Sequence, residues 1–194
     1  ASNSKEIFKD FDLILDATDN FSARYLVNDT SFFLKKPNVF ASVSQFEGRL
    51  SIFLPDGPCY RCLYPKPPEE IILNCSEEGV LGAVPGILGT LQAMEAIKLI
   101  LGIGSSLQGT LLLADLLSMQ FKRVSFHRNP NCPLCGENPT LRDLETIQTQ
   151  CLLAPEISAL EISNWIQQKK EFHLIDVRES QETASGTIKN AELI

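Results

Sequence analysis

The first readable pattern is a short apolar run, Phe11-Asp-Leu-Ile-Leu-Asp16, which predicts a buried strand. It runs into Ala17-Thr-Asp-Asn20 and then a helical stretch from about Phe21 to Leu34, with Thr18 or Asp19 suited to cap it. Beyond Pro37, Val39-Phe-Ala-Ser-Val-Ser44 predicts a second strand. Gln45-Phe-Glu-Gly-Arg49 and Leu50-Ser-Ile-Phe-Leu54 predict its hairpin partner, with Gly48 at the turn. Strand, helix and strand in succession indicate an α/β unit with an antiparallel extension.

Residues 55–78 read as an irregular segment rich in proline and charge. The strongly apolar stretch 79–101 predicts a helix that is mostly buried. Small residues (Gly82, Gly86, Gly89, Ala93, Ala96) run along it, Gln92, Glu95 and Lys98 form a narrow polar face, and Gly102 and Gly104 end it. Those polar residues and Pro85 argue for a buried helix rather than a membrane span. Strands follow at Thr110–Ala114 and Gln120–Phe126, and residues 140–155 read as a linker. A new unit opens at Ser158-x-x-Glu161, a capping box for a helix to about Lys169, followed by a strand at Phe172–Val177.

Composition narrows the class. The 194 residues are 44% hydrophobic and 21% charged, values of a folded soluble domain, and the net charge of −7 argues against a nucleic-acid partner. No basic segment followed by an apolar core marks a signal peptide, and paired cysteines without one point to a reducing cytoplasm.

The candidate chemistry is carried by cysteines and aspartates. Cys59 and Cys62, in Pro-Cys-Tyr-Arg-Cys, and Cys132 and Cys135, in Asn-Cys-Pro-Leu-Cys-Gly, form two Cys-x-x-Cys knuckles that can complete a tetrahedral sulfur shell for structural Zn²⁺. Four thiolates leave no open coordination position, so the expected role is to hold the fold. A redox dithiol is the alternative, disfavoured because both pairs follow prolines in loops rather than opening a thioredoxin-like helix. His127 and His173 stand alone. Asp16 and Asp19 lie where a strand ends and a helix begins, the position where open α/β sheets collect ligands. Either could hold Mg²⁺ against nucleotide phosphates, and Asp19 could equally be only a cap. Cys75, in Leu-Asn-Cys-Ser-Glu-Glu, is a candidate nucleophile favoured by a following helix N-terminus and disfavoured by Glu77 and Glu78. Cys151 sits in the linker.

Four segments then occur in order: Leu15-Asp-Ala-Thr-Asp-Asn20 with Arg24, Pro58-Cys-Tyr-Arg-Cys-Leu63, Gly89-x-x-Gln-Ala-x-Glu-Ala-x-Lys98, and Arg128-Asn-Pro-x-Cys-x-x-Cys-Gly136. Together, over about residues 8–137, they resemble the MoeB/ThiF family, bacterial relatives of ubiquitin-activating enzymes. The resemblance implies the C-terminal part of a Rossmann-like adenylation domain over 1–139, with a four-cysteine zinc site. It implies ATP-dependent adenylation of the C-terminal glycine of a ubiquitin-like, β-grasp sulfur-carrier protein, for molybdopterin, thiamine or thiolation pathways. Asp19 then corresponds to the Mg-ATP aspartate, and Cys75 to a cysteine used for acyl-disulfide or thioester chemistry in some members. A homodimer is implied as well.

Residues 156–194 resemble the start of a rhodanese domain through Leu174-Ile-Asp-Val-Arg-Glu179 and Gly186-Thr-Ile-Lys-Asn-Ala191, with Thr187 where that family has His. The family's glycine-rich phosphate loop, and the Arg and Lys that grip the triphosphate, are not found here. The expectation is therefore an internal fragment, not competent for adenylation alone. A rival reading is a zinc-stapled interaction module that binds a carrier protein or its own copy without catalysis.

Overall fold

The alternation Val39-Phe40-Ala41 sets the layers of the larger unit. In the computed structural model, which describes residues 3–68, 79–144, 157–177, 183, 186–188 and 191–193, Val39 and Ala41 pack with Leu50, Ile52, Val84 and Leu88, while Phe40 packs with Tyr25, Phe53 and Tyr60. Successive side chains on a strand face opposite ways, so a strand buried at both positions must be covered on both faces. Fully burying a side chain of the size of Val39 or Phe40 stabilises the fold by about 1.5–3 kcal/mol. The chain divides into two units, Ala1–Leu152 and Leu153–Ile194.

The larger unit runs α1 (Ser4–Phe8), β1 (Ile14–Asp16), α2 (Phe21–Phe33), β2 (Asn38–Ser44), β3 (Glu47–Phe53), α3 (Tyr60–Leu63), α4 (Ala83–Leu101), β4 (Thr110–Asp115) and β5 (Gln120–Ser125). Its strands lie in the order β1-β2-β3-β4-β5. β1 is parallel to β2 through α2, with Asp16 opposite Phe40, and every later pair is antiparallel. This is a mixed α/β sheet, an α/β crossover extended by an antiparallel meander.

Several expectations shift. The first strand is limited to Ile14–Asp16, because Phe11 is exposed and outside it. The hairpin turns at Gln45-Phe46, with Gln45 at φ 48°, and not at Gly48. Gly48 pairs with Val43 inside β3, and its side of the strand is filled: a Cβ there would lie 2.4 Å from Leu88 Cδ2.

α4 departs from the expected mostly buried helix with an outward polar face, although Val84, Leu88 and Ala96 do pack in the core. Gln92 and Glu95 are buried, while Ile87, Met94, Ile97, Ile100 and Leu101 are exposed. The polar residues turn inward because each has a main-chain partner there. Glu95 Oε2 accepts from the Leu107 amide at 3.0 Å and pairs with Lys98, whose Nζ donates to the Ser105 carbonyl at 2.8 Å. α4 has the length and apolar character of a membrane span, but its buried stripe packs on β2 and β3. Gly102, at φ 62°, terminates it as expected.

In the smaller unit, α5 (Ala159–Gln167) carries the predicted capping box of Ser158 and Glu161. The expected strand Phe172–Val177 is reduced to β6 (Ile175–Asp176), which pairs in parallel with β7 (Glu192–Leu193). Trp165 meets Phe172 edge to face at 5.8 Å.

Candidate metal centre and nucleotide site

Pro58 delivers Cys59 in an extended conformation (ψ 175°) at the N-cap of α3, and the single turn of Tyr60–Leu63 brings Cys62 round to face it. The first pair therefore sits on one short helical turn within a stretch that the sequence reads as irregular. The second knuckle closes through Cys132 N to Asn129 O (2.9 Å) and Gly136 N to Cys132 O (3.0 Å). Gly136 is required: a Cβ would meet the carbonyl oxygens of Pro130 and Cys132 at 2.5 Å.

The four sulfurs then lie within 4.8 Å of one another. Cys59 and Cys62 are 3.9 Å apart, Cys59 and Cys132 3.6 Å, and Cys62 and Cys135 3.3 Å. A disulfide needs about 2.05 Å, so these are four separate sulfurs. An ion bonded at about 2.3 Å, the distance zinc takes to sulfur, sets tetrahedral sulfur–sulfur edges of about 3.8 Å. The observed spacings bracket that value, and the set can hold a metal ion.

Main-chain amides serve the sulfurs, Asn129 N to Cys62 (3.4 Å) and Cys135 N to Cys132 (3.5 Å), as thiolate acceptors require. Hydrogen bonds among the sulfurs, those with Cys132 foremost, push Cys59 and Cys135 up and Cys62 down. The bond with Cys135 foremost lowers Cys132 to about 6. The four therefore titrate as one set. Leu134 and Leu141 exclude water around them.

The knuckle is tied to α2 by charge and hydrogen bonds. Arg61 grips Asp29 through Nε to Oδ1 (2.9 Å) and Nη2 to Oδ2 (2.7 Å), with both side chains buried. Its guanidinium lies 4.6 Å from the Tyr25 ring centre. Asn28 Oδ1 accepts from the Tyr60 amide at 2.9 Å, and Tyr25 donates to the Tyr64 carbonyl at 2.8 Å. Asn28, Asp29 and Arg61 escape a reading of the sequence, since polar residues in a helix look like a solvated face.

At the other end of α2, Asn20 is the cap: its Oδ1 accepts from the Ala23 amide at 2.8 Å and from Ser22 Oγ at 2.9 Å. The expectation that Thr18 or Asp19 caps this helix is thereby overturned. Thr18 is used instead to hold the turn, donating from N (3.0 Å) and Oγ1 (2.8 Å) to Asp16 Oδ1, while Arg24 Nε donates to its carbonyl at 3.2 Å. Asp19 is left exposed, touched by Asn20 Nδ2 at 3.3 Å.

Asp19 also lines a cavity of about 90 Å³ walled by Ala17, Thr18, Ser42, Leu88, Gly89 and Gln92 among others. Asp16 is buried, and its Oδ2 has no hydrogen-bond partner among the described residues. Burial raises its pKa against the lowering effects of Thr18 and Arg24. A buried carboxylate of this kind supports the turn more readily than it reaches a ligand. Cys75 and Cys151 lie outside the described residues.

Three comparisons bear on this geometry. The ThiF family matches residues 1–134, and the chain belongs to it. The chain is 46% identical over 158 residues to a sulfur carrier protein adenylyltransferase of Thermus thermophilus, covering 78% of this chain and 58% of that one. It is 42% identical over 151 residues to the SAMP-activating enzyme E1 of Haloferax volcanii, covering 76% and 56%. It is 39% identical over 190 residues to the mouse adenylyltransferase and sulfurtransferase MOCS3, covering 89% and 41%. The chain thus spans about half the length of the curated relatives it matches. Among solved structures, that of E. coli MccB with MccA-N7isoASN superimposes with a TM-score of 0.58 at 15% identity, over 70% of this chain and 45% of that one. At that identity the likeness concerns the fold.

Proposed function

We propose that the chain forms part of an ATP-dependent adenylyltransferase that activates the C-terminal glycine of a ubiquitin-like sulfur-carrier protein. One observation carries this reading. Asn20 takes over the cap of α2, so the Asp19 carboxylate stays exposed beside a cavity at the carboxyl end of β1, where α/β sheets place their ligands. The names of the relatives support the same reading.

In this reading Asp19 holds Mg²⁺, and the ion offsets the negative charge of the ATP phosphates. An ionised carrier carboxylate forms a bond to the α-phosphorus, and the bond to the bridging oxygen breaks as pyrophosphate leaves with its electron pair. No general base is needed, so the protein's work is positioning and electrostatics. Thr18, Asp16 and Arg24 hold the turn that presents Asp19. The four cysteines bind structural Zn²⁺, supported by their spacing and closed shell.

Further parts of the proposal rest on the family and its relatives. Cys75 is a covalent acyl-disulfide or thioester residue, to be tested by Cys75→Ala. Residues 156–194 begin a rhodanese-like domain, a reading supported by the long alignment with mouse MOCS3. The exposed apolar face of α4 suits a second copy in a homodimer, and the working compartment is the cytoplasm.

The test is radiolabelled ATP–pyrophosphate exchange by the gene-encoded protein, with a β-grasp carrier ending in Gly-Gly. Carrier-dependent exchange supports the adenylyltransferase. Carrier binding without exchange or Mg-ATP binding supports an interaction module instead.

A further inference from the structure

The motif on α4 raises a question that the proposed chemistry leaves open: why a glutamine is buried at position 92 among apolar neighbours. Its Nε2 donates at 2.8 Å to the main-chain carbonyl of Asp16 and at 2.8 Å to that of Val39. A carbonyl oxygen only accepts, so both bonds must come from the amide nitrogen, which fixes the side chain's orientation. One side chain thereby bridges the parallel strands β1 and β2 at the end where the site lies. Gln92 also lines the cavity that Asp19 lines.

We infer that Gln92 is a positioning residue for the Asp19 turn. This rests on reading Asp19 as the Mg-ATP ligand. The linkage is short. Gln92 fixes the Asp16 carbonyl, Asp16 Oδ1 holds Thr18 through two hydrogen bonds, and Thr18 is bonded directly to Asp19. Gln92 is only 5% exposed, so water cannot readily replace its two bonds if they are lost. Glutamine supplies two donors at this reach without bringing a charge into the core, and so satisfies both carbonyls. An ionised glutamate would set negative charge against them, and methionine would fill the space with no donor. Transfer to phosphorus by positioning alone is sensitive to such a change, a misplacement of about 1 Å lowering rate on the order of 100-fold.

The experiment uses carrier-dependent ATP–pyrophosphate exchange by the gene-encoded protein, comparing Gln92→Met, Gln92→Glu and Asp19→Ala at full metal content. Gln92→Met is expected to lower kcat roughly 10- to 100-fold while the carrier KM changes by less than about twofold. Gln92→Glu is expected to lose more at about pH 8 than at about pH 6, because a protonated carboxyl returns one donor. The inference is overturned if Gln92→Met keeps kcat within about twofold of the parent. Should Gln92→Met fail to fold, Gln92→Glu activity within about twofold of the parent at about pH 8 overturns it as well. If Asp19→Ala abolishes exchange while both Gln92 variants match the parent, only the positioning role falls. If Asp19→Ala leaves exchange intact, the reading of the site falls too.

Discussion

Asp29 and Arg61 meet as a two-pronged ion pair, Nε to Oδ1 at 2.9 Å and Nη2 to Oδ2 at 2.7 Å, with side-chain exposures of 3% and 5%. The pair joins α2 to the first cysteine knuckle. Removing one partner leaves a buried charge uncompensated, so Asp29→Ala should lower stability to chemical denaturation by about 3–5 kcal/mol. The double variant Asp29→Leu with Arg61→Met should recover most of that loss, since two apolar side chains of similar bulk leave no charge behind. A double variant as weak as Asp29→Ala would contradict this account.

Gly136→Ala tests the second knuckle. A Cβ would lie 2.5 Å from two carbonyl oxygens and 2.8 Å from the Cys132 amide, all main-chain atoms that cannot swing aside. The expected outcome is a fall in the ratio of bound zinc to protein, measured on purified protein, together with a lower melting temperature. Full occupancy at unchanged melting temperature would show that the loop accommodates the methyl group.

Metal removal should act through folding. The cysteine cluster has a small apolar shell in Leu134 and Leu141, and the second knuckle holds itself by a few turn hydrogen bonds. Chelation should lower the melting temperature, and zinc should restore it with release of protons from the thiols. Zinc affinity should weaken as pH falls, because each ligand must be deprotonated to bind. Calorimetry with and without chelator, at two pH values, checks both.

How far this was legible in the sequence depends on where each residue finds its partner. The order of the five strands and two long helices of the larger unit followed from local pattern, as at Val39–Ser44, whereas the short helices α1 and α3 were not foreseen, and the Cys-x-x-Cys spacing marked the four sulfurs that come together. Gly102 and the Ser158–Glu161 capping box, both local devices, also fall as read. What failed depends on distant partners. Gly48 looked like a turn residue, yet it is in β3 because Leu88, forty positions on, needs the space. Gln92 and Glu95 looked like a solvated stripe, yet they are turned inward by the carbonyls of Asp16 and Val39 and the amide of Leu107. The choice among Thr18, Asp19 and Asn20 as cap was undecidable from residue type, since all three can cap a helix. The side-chain geometry decides it.

Asp16 gives a prediction in pH. Burial raises its pKa above the ordinary 3.8, so between that value and the raised one the folded state holds a proton that the unfolded state has lost. Stability from this group therefore falls as pH rises through that window and is level above it. Asp16→Asn lacks the fall. Urea midpoints over a pH series should show the parent losing ground to the variant as pH rises, and a parent that gains ground would contradict the sign.

Asp19 is proposed as a ligand-holding carboxylate, and Asn20 rather than Asp19 caps the helix. Its most direct test is Asp19→Asn, assayed by carrier-dependent ATP–pyrophosphate exchange across a Mg²⁺ titration, with melting temperature recorded on the same samples. Melting is expected to be unchanged, because Asn20 caps α2, together with loss of exchange or a much higher Mg²⁺ requirement. Wild-type exchange at wild-type Mg²⁺ concentrations would contradict it.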